Sequence, residues 1–420
     1  MATHVLPPSV VQKGTGSPVH RVATQAHIQA TLLTGGQDRH YSFGLATALA
    51  SKGVLVDVIG SDDVDSPELH APPALNFYNF RGRKEENAPL AKKLSSIMLY
   101  YARLARYAAT ARPKVFHVLW NNKLEYFDRT VLMCYYKLLG KKIALTAHNV
   151  NIGRRNSSDS YLNRFTLKFQ YRLVDHIFVH TEIMKRELLD DFDVTEHKVT
   201  VLVHPLNVAI ADSGLTSREA KERLGLREGE RTVLFYGAIA PYKGLDLLVE
   251  GFQRLVANNS NYRLIIAGHP KGGCAQYLRD VQQTITRTID RTRVIEKIEY
   301  VSDDDTQLYF KAADLVVLPY REIYQSGVLF MAYSFGLPVV ATDVGSFRET
   351  IVEGKTGFVC KPDDTDDLAS TIEKYFESEL FKSLGRTRQQ IRDYANARHS
   401  WDTVGKVTRN VYASLSELNQ

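Results

Sequence analysis

At 420 residues the chain is too long for one ordinary hydrophobic core, so two domains are expected. Its 44% hydrophobic and 24% charged residues are those of a globular protein in water, and a formal charge of +6 permits attraction to phosphates or an anionic membrane face without demanding either. Three scattered cysteines speak against a disulfide framework and for a reducing compartment, 13 histidines show no paired metal-ligand spacing, and no run approaches the ~20 apolar residues of a membrane span.

Residues 1–27 are polar and broken by Pro7, Pro8, Gly14, Gly16 and Pro18, which predicts a flexible leader without a signal-peptide core. His27 to Thr34 reads as a buried strand ended by Gly35-Gly36. Gln37 to Lys52 has helical period, with Tyr41, Leu45, Ala48 and Leu49 on one face, and Val54 to Ile59 is a second strand. This β-loop-α-β opening lacks the full G-x-G-x-x-G spacing, so its glycines either only make the turn or admit a ligand against the backbone. A short strand is expected at Leu75 to Phe80. The amphipathic segment Lys92 to Arg112 reads as a sheet-covering helix with a solvated basic face, or as a helix lying on an anionic membrane. Val115 to Trp120 is a strand, Asp128 to Leu139 a helix, and Lys141 to Thr146 a strand ending in Ala147-His148-Asn149-Val150. Polar groups at the carboxyl end of a parallel strand are where α/β sheets bind ligands, which singles out His148. A basic-aromatic helix (Asn163 to Leu173), a strand (Asp175 to His180), a helix (Glu182 to Leu189) and a strand (Val199 to Val203) complete a doubly wound pattern.

The apolar pattern weakens from Pro205 to Arg231, the best linker, and then the alternation restarts. A strand (Arg231 to Tyr236) runs into Gly237-Ala238-Ile239-Ala240-Pro241-Tyr242-Lys243-Gly244, and a helix follows to Ala257. Further strands are expected at Arg263 to Ala267 and within Val294 to Val301, with a helix at Tyr277 to Arg287. The acidic run Asp303-Asp304-Asp305 reads as the start of a helix to Ala312, as the helix dipole favours. The stretch LPYREIYQSGVLFMAYSFGLPVVATDVG then reads strand, loop, helix, strand. At its centre, Ser326-Gly327-Val328 opens a helix with free backbone N–H groups and room for an anion, so a diphosphate is expected there. Helices at Asp366 to Phe376, Lys382 to Ala397 and Trp401 to Leu418 close the chain.

The pieces YGAIAPYKGLDLL, AADLVVLPY and GLPVVATDVGSFRETIVEGKTGFV, in that order and spacing, resemble retaining glycosyltransferase family 4. The resemblance covers nearly everything from residue 28 on. It implies the α/β GT-B fold, two Rossmann-like doubly wound domains facing a central cleft. Residues 28–205 would be the acceptor-side domain, 206–398 the nucleotide-sugar domain, and 399–420 a helix packing back towards the first. Lys243 matches the lysine that pairs with donor phosphate, and His148 the histidine beside the transferred sugar; these are the expected catalytic pair. Gly35 and Gly36 match the loop that closes over the donor. Gly237, Gln325, Ser326, Gly327, Val328 and Leu329 fall on the donor-binding side, and Glu349 matches a carboxylate for the ribose. Asp38, Arg39, Asn149 and Arg154 would line the acceptor cleft, and Arg154 with Arg155 could supply positive charge or simply be solvated.

This chain also departs from the family. Ala238 stands where many members carry an arginine, and Ile323 and Met331 stand where members often carry glutamates, leaving Glu322 as the nearby substitute. The expected reaction is transfer of a sugar, with retention and without a metal, from a UDP- or GDP-sugar to a glycan or lipid-linked acceptor. The expected setting is cytoplasmic, with peripheral association to an anionic membrane face and no nucleic acid. A binding or partner subunit with impaired catalysis is the alternative that Ala238, Ile323 and Met331 would support.

Overall fold

The computed structural model describes residues 28–36, 38–82, 89–155, 159–206 and 213–417. The leader 1–27 and Gln37 lie outside the described residues, as does the side chain of Arg155. Among the described residues, thirteen strands form two sheets. The first holds β1 (Gln29–Leu33), β2 (Leu55–Gly60), β3 (Leu75–Asn79), β4 (Val115–Val118), β5 (Lys142–Thr146), β6 (His176–Val179) and β7 (Val199–Val201). Its order is β3-β2-β1-β4-β5-β6-β7, parallel throughout. The second holds β8 (Arg231–Tyr236), β9 (Tyr262–Ala267), β10 (Val294–Lys297), β11 (Leu315–Leu318), β12 (Val339–Thr342) and β13 (Gly357–Cys360). Its order is β10-β9-β8-β11-β12-β13, also parallel. The fold is GT-B, two Rossmann-like α/β sheets.

Strands buried on both faces explain the continuous apolar runs. In β8, Val233 and Phe235 pack into one core cluster while Leu234 points into another. The same split places Leu264 and Ile266 of β9 on one face and Ile265 on the other. The strand Gly357–Cys360 went unread in the sequence because four residues beside Lys355 and Thr356 carry too little period. The expected helix Asp128–Leu139 is broken into Glu125–Phe127, a π-helical turn Asp128–Leu132, and Met133–Leu138. The buried Asp128 carboxylate accepts from the Asn122 amide at 2.6 Å and the Tyr101 hydroxyl at 2.8 Å, so this turn also anchors the loop after β4.

Each sheet reverses its winding once, between β1 and β4 and between β8 and β11. A crevice opens at such a reversal beyond the carboxyl ends of the strands. The closing helix Trp401–Glu417 lies on the helix Arg39–Ser51 of the first sheet. Small residues allow the approach: a Cβ on Gly44 would sit 2.1 Å from the Trp401 ring, and one on Gly405 would sit 2.9 Å from the Ala48 carbonyl oxygen. Tyr412 on that helix meets His117 of β4 at 2.6 Å.

Candidate active site

At the first reversal, β1 runs into Thr34-Gly35-Gly36, with φ of 61° and 69° at the two glycines. A Cβ on Gly35 would lie 2.9 Å from the carbonyl oxygens of both Trp120 and Asn121, so glycine is required where this turn crosses the loop after β4. Arg81 donates to the Gly35 carbonyl and holds the turn from outside. Asp38 caps the helix Arg39–Ser51, accepting from the Tyr41 amide at 2.9 Å, and Arg39 is exposed on its first turn.

Loop residues after β5 place His148 at the centre of an aromatic cage. Its ring stacks on Trp120 at 4.2 Å and 4°, and Tyr41 meets it edge-on at 4.7 Å. Asn149 lies partly buried beside it. Burial, reinforced by His180, His204 and His117, pushes the His148 imidazole far below its usual range, so it is neutral at physiological pH. The tautomer follows from its neighbours. His180 Nδ1 lies 3.0 Å from the Leu202 carbonyl oxygen, which only accepts, so that nitrogen carries the proton. The other His180 nitrogen is then bare, and it lies 3.2 Å from His148 Nδ1, which must donate to it. His148 Nε2 is left with its lone pair, shut off from solvent and without a hydrogen-bond partner. It is the ring's remaining acceptor.

The second reversal gathers the other group. Gly237 follows β8 with φ 102°, and a Cβ there would lie 3.4 Å from Val328. The turn Pro241–Lys243 ends at Gly244, where a Cβ would fall 1.9 Å from the Pro319 carbonyl oxygen, so this turn rests directly on the end of β11. Lys243 Nζ lies 3.8 Å from the centre of the Tyr320 ring. The helix Gly327–Ser334 starts after Ser326, whose side chain makes no cap hydrogen bond; its hydroxyl is instead 3.3 Å from that of Tyr320. Ser326 and Leu329 are buried, while the space at Gly327 is open. Gly237 thus lies against Val328, and Lys243 and Ser326 both meet Tyr320, which brings the lysine turn and the helix start together at the β8/β11 reversal.

The loop between β11 and the helix Gly327–Ser334 carries the other expected residues. Gln325 has a buried side-chain oxygen without a partner, Glu322 is exposed, and Ile323 and Met331 pack partly into the core. Glu349 is exposed on the short helix Phe347–Thr350, just beyond β12. Arg154 is placed against the helix Glu182–Phe192, 3.4 Å from Asp191 and 3.9 Å from Glu187, rather than towards the residues around Lys243. Trp120 and His180 were read in the sequence only as strand ends, and Tyr41 only as part of an apolar helix face. The signal for Trp120 was its place after β4, on the same sheet edge as His148.

A series of rings links the two crevices. His180 packs on His204 at 5.1 Å, and His204 stacks on Phe330 of the helix Gly327–Ser334 at 4.7 Å and 10°. Tyr324 packs into the core cluster of the first sheet. Burial holds the imidazoles of His117 and His204 down to about 3 and those of His176 and His180 down to about 4. An unfolded histidine titrates near ~6.5, so on acidification protons bind the unfolded chain first. The stability these neutral rings carry is present above that pH and is lost as pH falls towards their folded values, by at most about 1.4 kcal/mol per pH unit for each ring. The melting temperature is expected to fall steadily from about pH 7 to about pH 5. A flat melting profile across that window would refute the buried-histidine account.

Among the described residues, no group of three or more His, Cys, Asp or Glu is placed to hold a metal, and no helix is long and apolar enough to cross a membrane.

The geometry can be set beside known proteins. The family description "Glycosyltransferase Family 4" matches residues 34–209, and "Glycosyl transferases group 1" matches residues 216–398. An uncharacterized glycosyltransferase of Methanocaldococcus jannaschii is 25% identical over 403 residues, spanning 92% of this chain and 96% of its own. The D-inositol 3-phosphate glycosyltransferase of Mycolicibacterium smegmatis is 25% identical over 81% of this chain and 78% of its own. The lipopolysaccharide core biosynthesis mannosyltransferase of Rhizobium meliloti is 28% identical over 42% of this chain and half (50%) of its own. Among solved structures, a sucrose-phosphate synthase from Thermosynechococcus elongatus superposes with a TM-score of 0.73 at 17% identity, over 93% of this chain and 100% of that one. The Anabaena protein HepE, solved with UDP-glucose, superposes with a TM-score of 0.70 at 16% identity, over 92% of this chain and 100% of that one. At those identities the structures speak for the fold alone.

Proposed function

The chain belongs to glycosyltransferase family 4, the glycosyl transferases group 1, and from that premise we propose that it moves a sugar from a UDP- or GDP-sugar to a glycan or lipid-linked acceptor, with retention. The observation that carries this reading is the convergence of Lys243 and the uncapped helix start at Ser326–Leu329 on the β8/β11 crevice. Residues 28–205 form the acceptor side in this reading, 206–398 the donor side, and the helix from 399 returns to the acceptor side.

The diphosphate lies against the helix amides and the Lys243 ammonium, which neutralise the charge that grows on it as it leaves. The compensating positive charge comes from the protein, and in this reading the reaction proceeds without a metal. The bond from the anomeric carbon to the phosphate oxygen breaks while the acceptor oxygen attacks on the same face. The acceptor's proton passes to the departing phosphate oxygen. His148 accepts a hydrogen bond from a sugar hydroxyl through its bare Nε2 and holds the ring in place. Gly35-Gly36 lies over the sugar, and Gln325 offers its unpartnered oxygen to the sugar side.

The acceptor side carries an unusual surface. Leu90, Leu94 and Met98 are 82%, 60% and 63% exposed on the helix Leu90–Thr110, among Lys92 and Lys93. Tyr161, Leu162 and Phe165 are likewise exposed on the helix Tyr161–Leu173, beside Arg164 and Lys168. Apolar side chains interleaved with bases suit the surface of an anionic bilayer, and this supports an acceptor presented there. The experiment is a donor panel of UDP-, GDP- and ADP-sugars, run with acceptor lipid in neutral and in anionic vesicles over a range of salt. Turnover with one donor class, higher on anionic vesicles and reduced by salt, is expected. Nucleotide binding with no turnover on any acceptor extract would replace this reading with that of a binding subunit, and equal turnover on both vesicles would remove the membrane part.

A further inference from the structure

We propose that Arg321 is a positioning residue that sets Lys243 against the donor crevice; this rests on the donor-site reading above. Arg321 follows Tyr320 in the loop that leads to the helix Gly327–Ser334. Its backbone N–H donates to the Tyr242 carbonyl at 2.9 Å, and its guanidinium donates to the Pro241 carbonyl at 2.8 Å. Two carbonyls of the turn that ends at Lys243 are therefore held by one residue of the neighbouring βα unit. The guanidinium is itself fixed. It forms a fork with Asp246 at 2.9 and 2.8 Å and meets Asp363 at 2.8 Å. Asp246 is steadied in turn by the Tyr277 hydroxyl at 2.7 Å.

This clamp joins four segments: the lysine turn, the first turn of the helix Leu245–Asn258, the donor loop and the bend at Asp363. The two phosphate-facing parts of the crevice come from different βα units, so contacts between the units set their spacing. Arg321 ties the turn bearing Lys243 to the loop that leads to Ser326. A lysine at 321 could pair with one carboxylate but could not also fork onto the carbonyl and the second carboxylate. A displacement of ~1 Å at a charge-stabilising group can cost about 100-fold in rate.

The test is a double-mutant cycle on donor kcat/KM with saturating acceptor, run beside thermal melts. Arg321→Gln is expected to lower kcat/KM by up to about 100-fold, with Arg321→Lys recovering only part. In a Lys243→Ala background the same Arg321→Gln change should cost less than about threefold, because the group it positions is gone. A merely stabilising residue would not show this non-additivity. Multiplicative losses in the double variant would overturn the proposal, as would an unchanged kcat/KM in Arg321→Gln. Should Arg321→Gln fail to fold, the cycle is read with Arg321→Lys under the same criterion. Full activity of Lys243→Ala would instead remove the donor-site reading itself, and a loss confined to Arg321→Gln would then show that it acts by another route.

Discussion

Lys243→Ala is expected to lower kcat/KM for the nucleotide-sugar by roughly 100- to 1,000-fold, the usual cost of removing one preorganised charge from a leaving group. Lys243 stands at the end of a turn pressed against Pro319, with its ammonium over the Tyr320 ring. In the proposed donor site it meets the anion held at the helix start. Ala238 brings no charge, and Lys243 is the single cation of the stretch Gly237 to Gly244, so the neutralisation from this turn falls on Lys243. The side chain is only partly buried, so the melting temperature should change little. Steady-state kinetics and calorimetric binding of the nucleoside diphosphate check this together. Loss of both turnover and diphosphate affinity is expected, with partial recovery in Lys243→Arg. Unchanged kinetics would mean that the diphosphate lies elsewhere.

His148→Phe should lower kcat by about 100-fold or more while leaving nucleoside diphosphate affinity within about threefold, because the ring is distant from the phosphate-facing group but close to the sugar in this reading. Phenylalanine keeps a flat ring on Trp120 and removes only the nitrogens. The Nε2 lone pair disappears, and a sugar hydroxyl loses its acceptor. His148→Gln retains an acceptor on a flexible stem, so it should recover part of the rate. A pure packing role predicts the opposite order, with the aromatic variant more active than the amide. Measuring kcat for both variants separates the two roles.

Much of this site was legible in the sequence because its parts are local. A glycine pair after a strand, a lysine before a helix and Ser-Gly at a helix start each declare a backbone geometry within a few residues. The structure places Gly35 and Gly36 at one reversal and Gly237, Lys243 and Ser326 at the other. Asp38 shows a limit of such reasoning: placed inside the helix and assigned to the acceptor cleft, it instead precedes the helix, and its side chain accepts from the Tyr41 amide as a cap. Arg154 shows where that reasoning stops, since its charge is engaged by Asp191 and Glu187 on a helix far along the chain. The broken helix at Asp128 is similar. Its period is helical, but the π-turn arises where a buried carboxylate anchors the Asn122 loop.

By itself the sequence determined the alternation of buried strands and covering helices, the division into two α/β halves, and the motifs that end their strands. Those are consequences of periodicity and of backbone freedom at Gly and Pro, which act over a few residues. Only the tertiary structure decided which side chains meet. The bare nitrogen of His148 depends on His180 and on the Leu202 carbonyl beyond it. The setting of Lys243 depends on an arginine that grips Asp246 from 75 residues away. The packing of Tyr324 depends on a core built by the other half of the chain. Such meetings follow from strand order and the place where the winding reverses, and no local pattern of residues encodes that order.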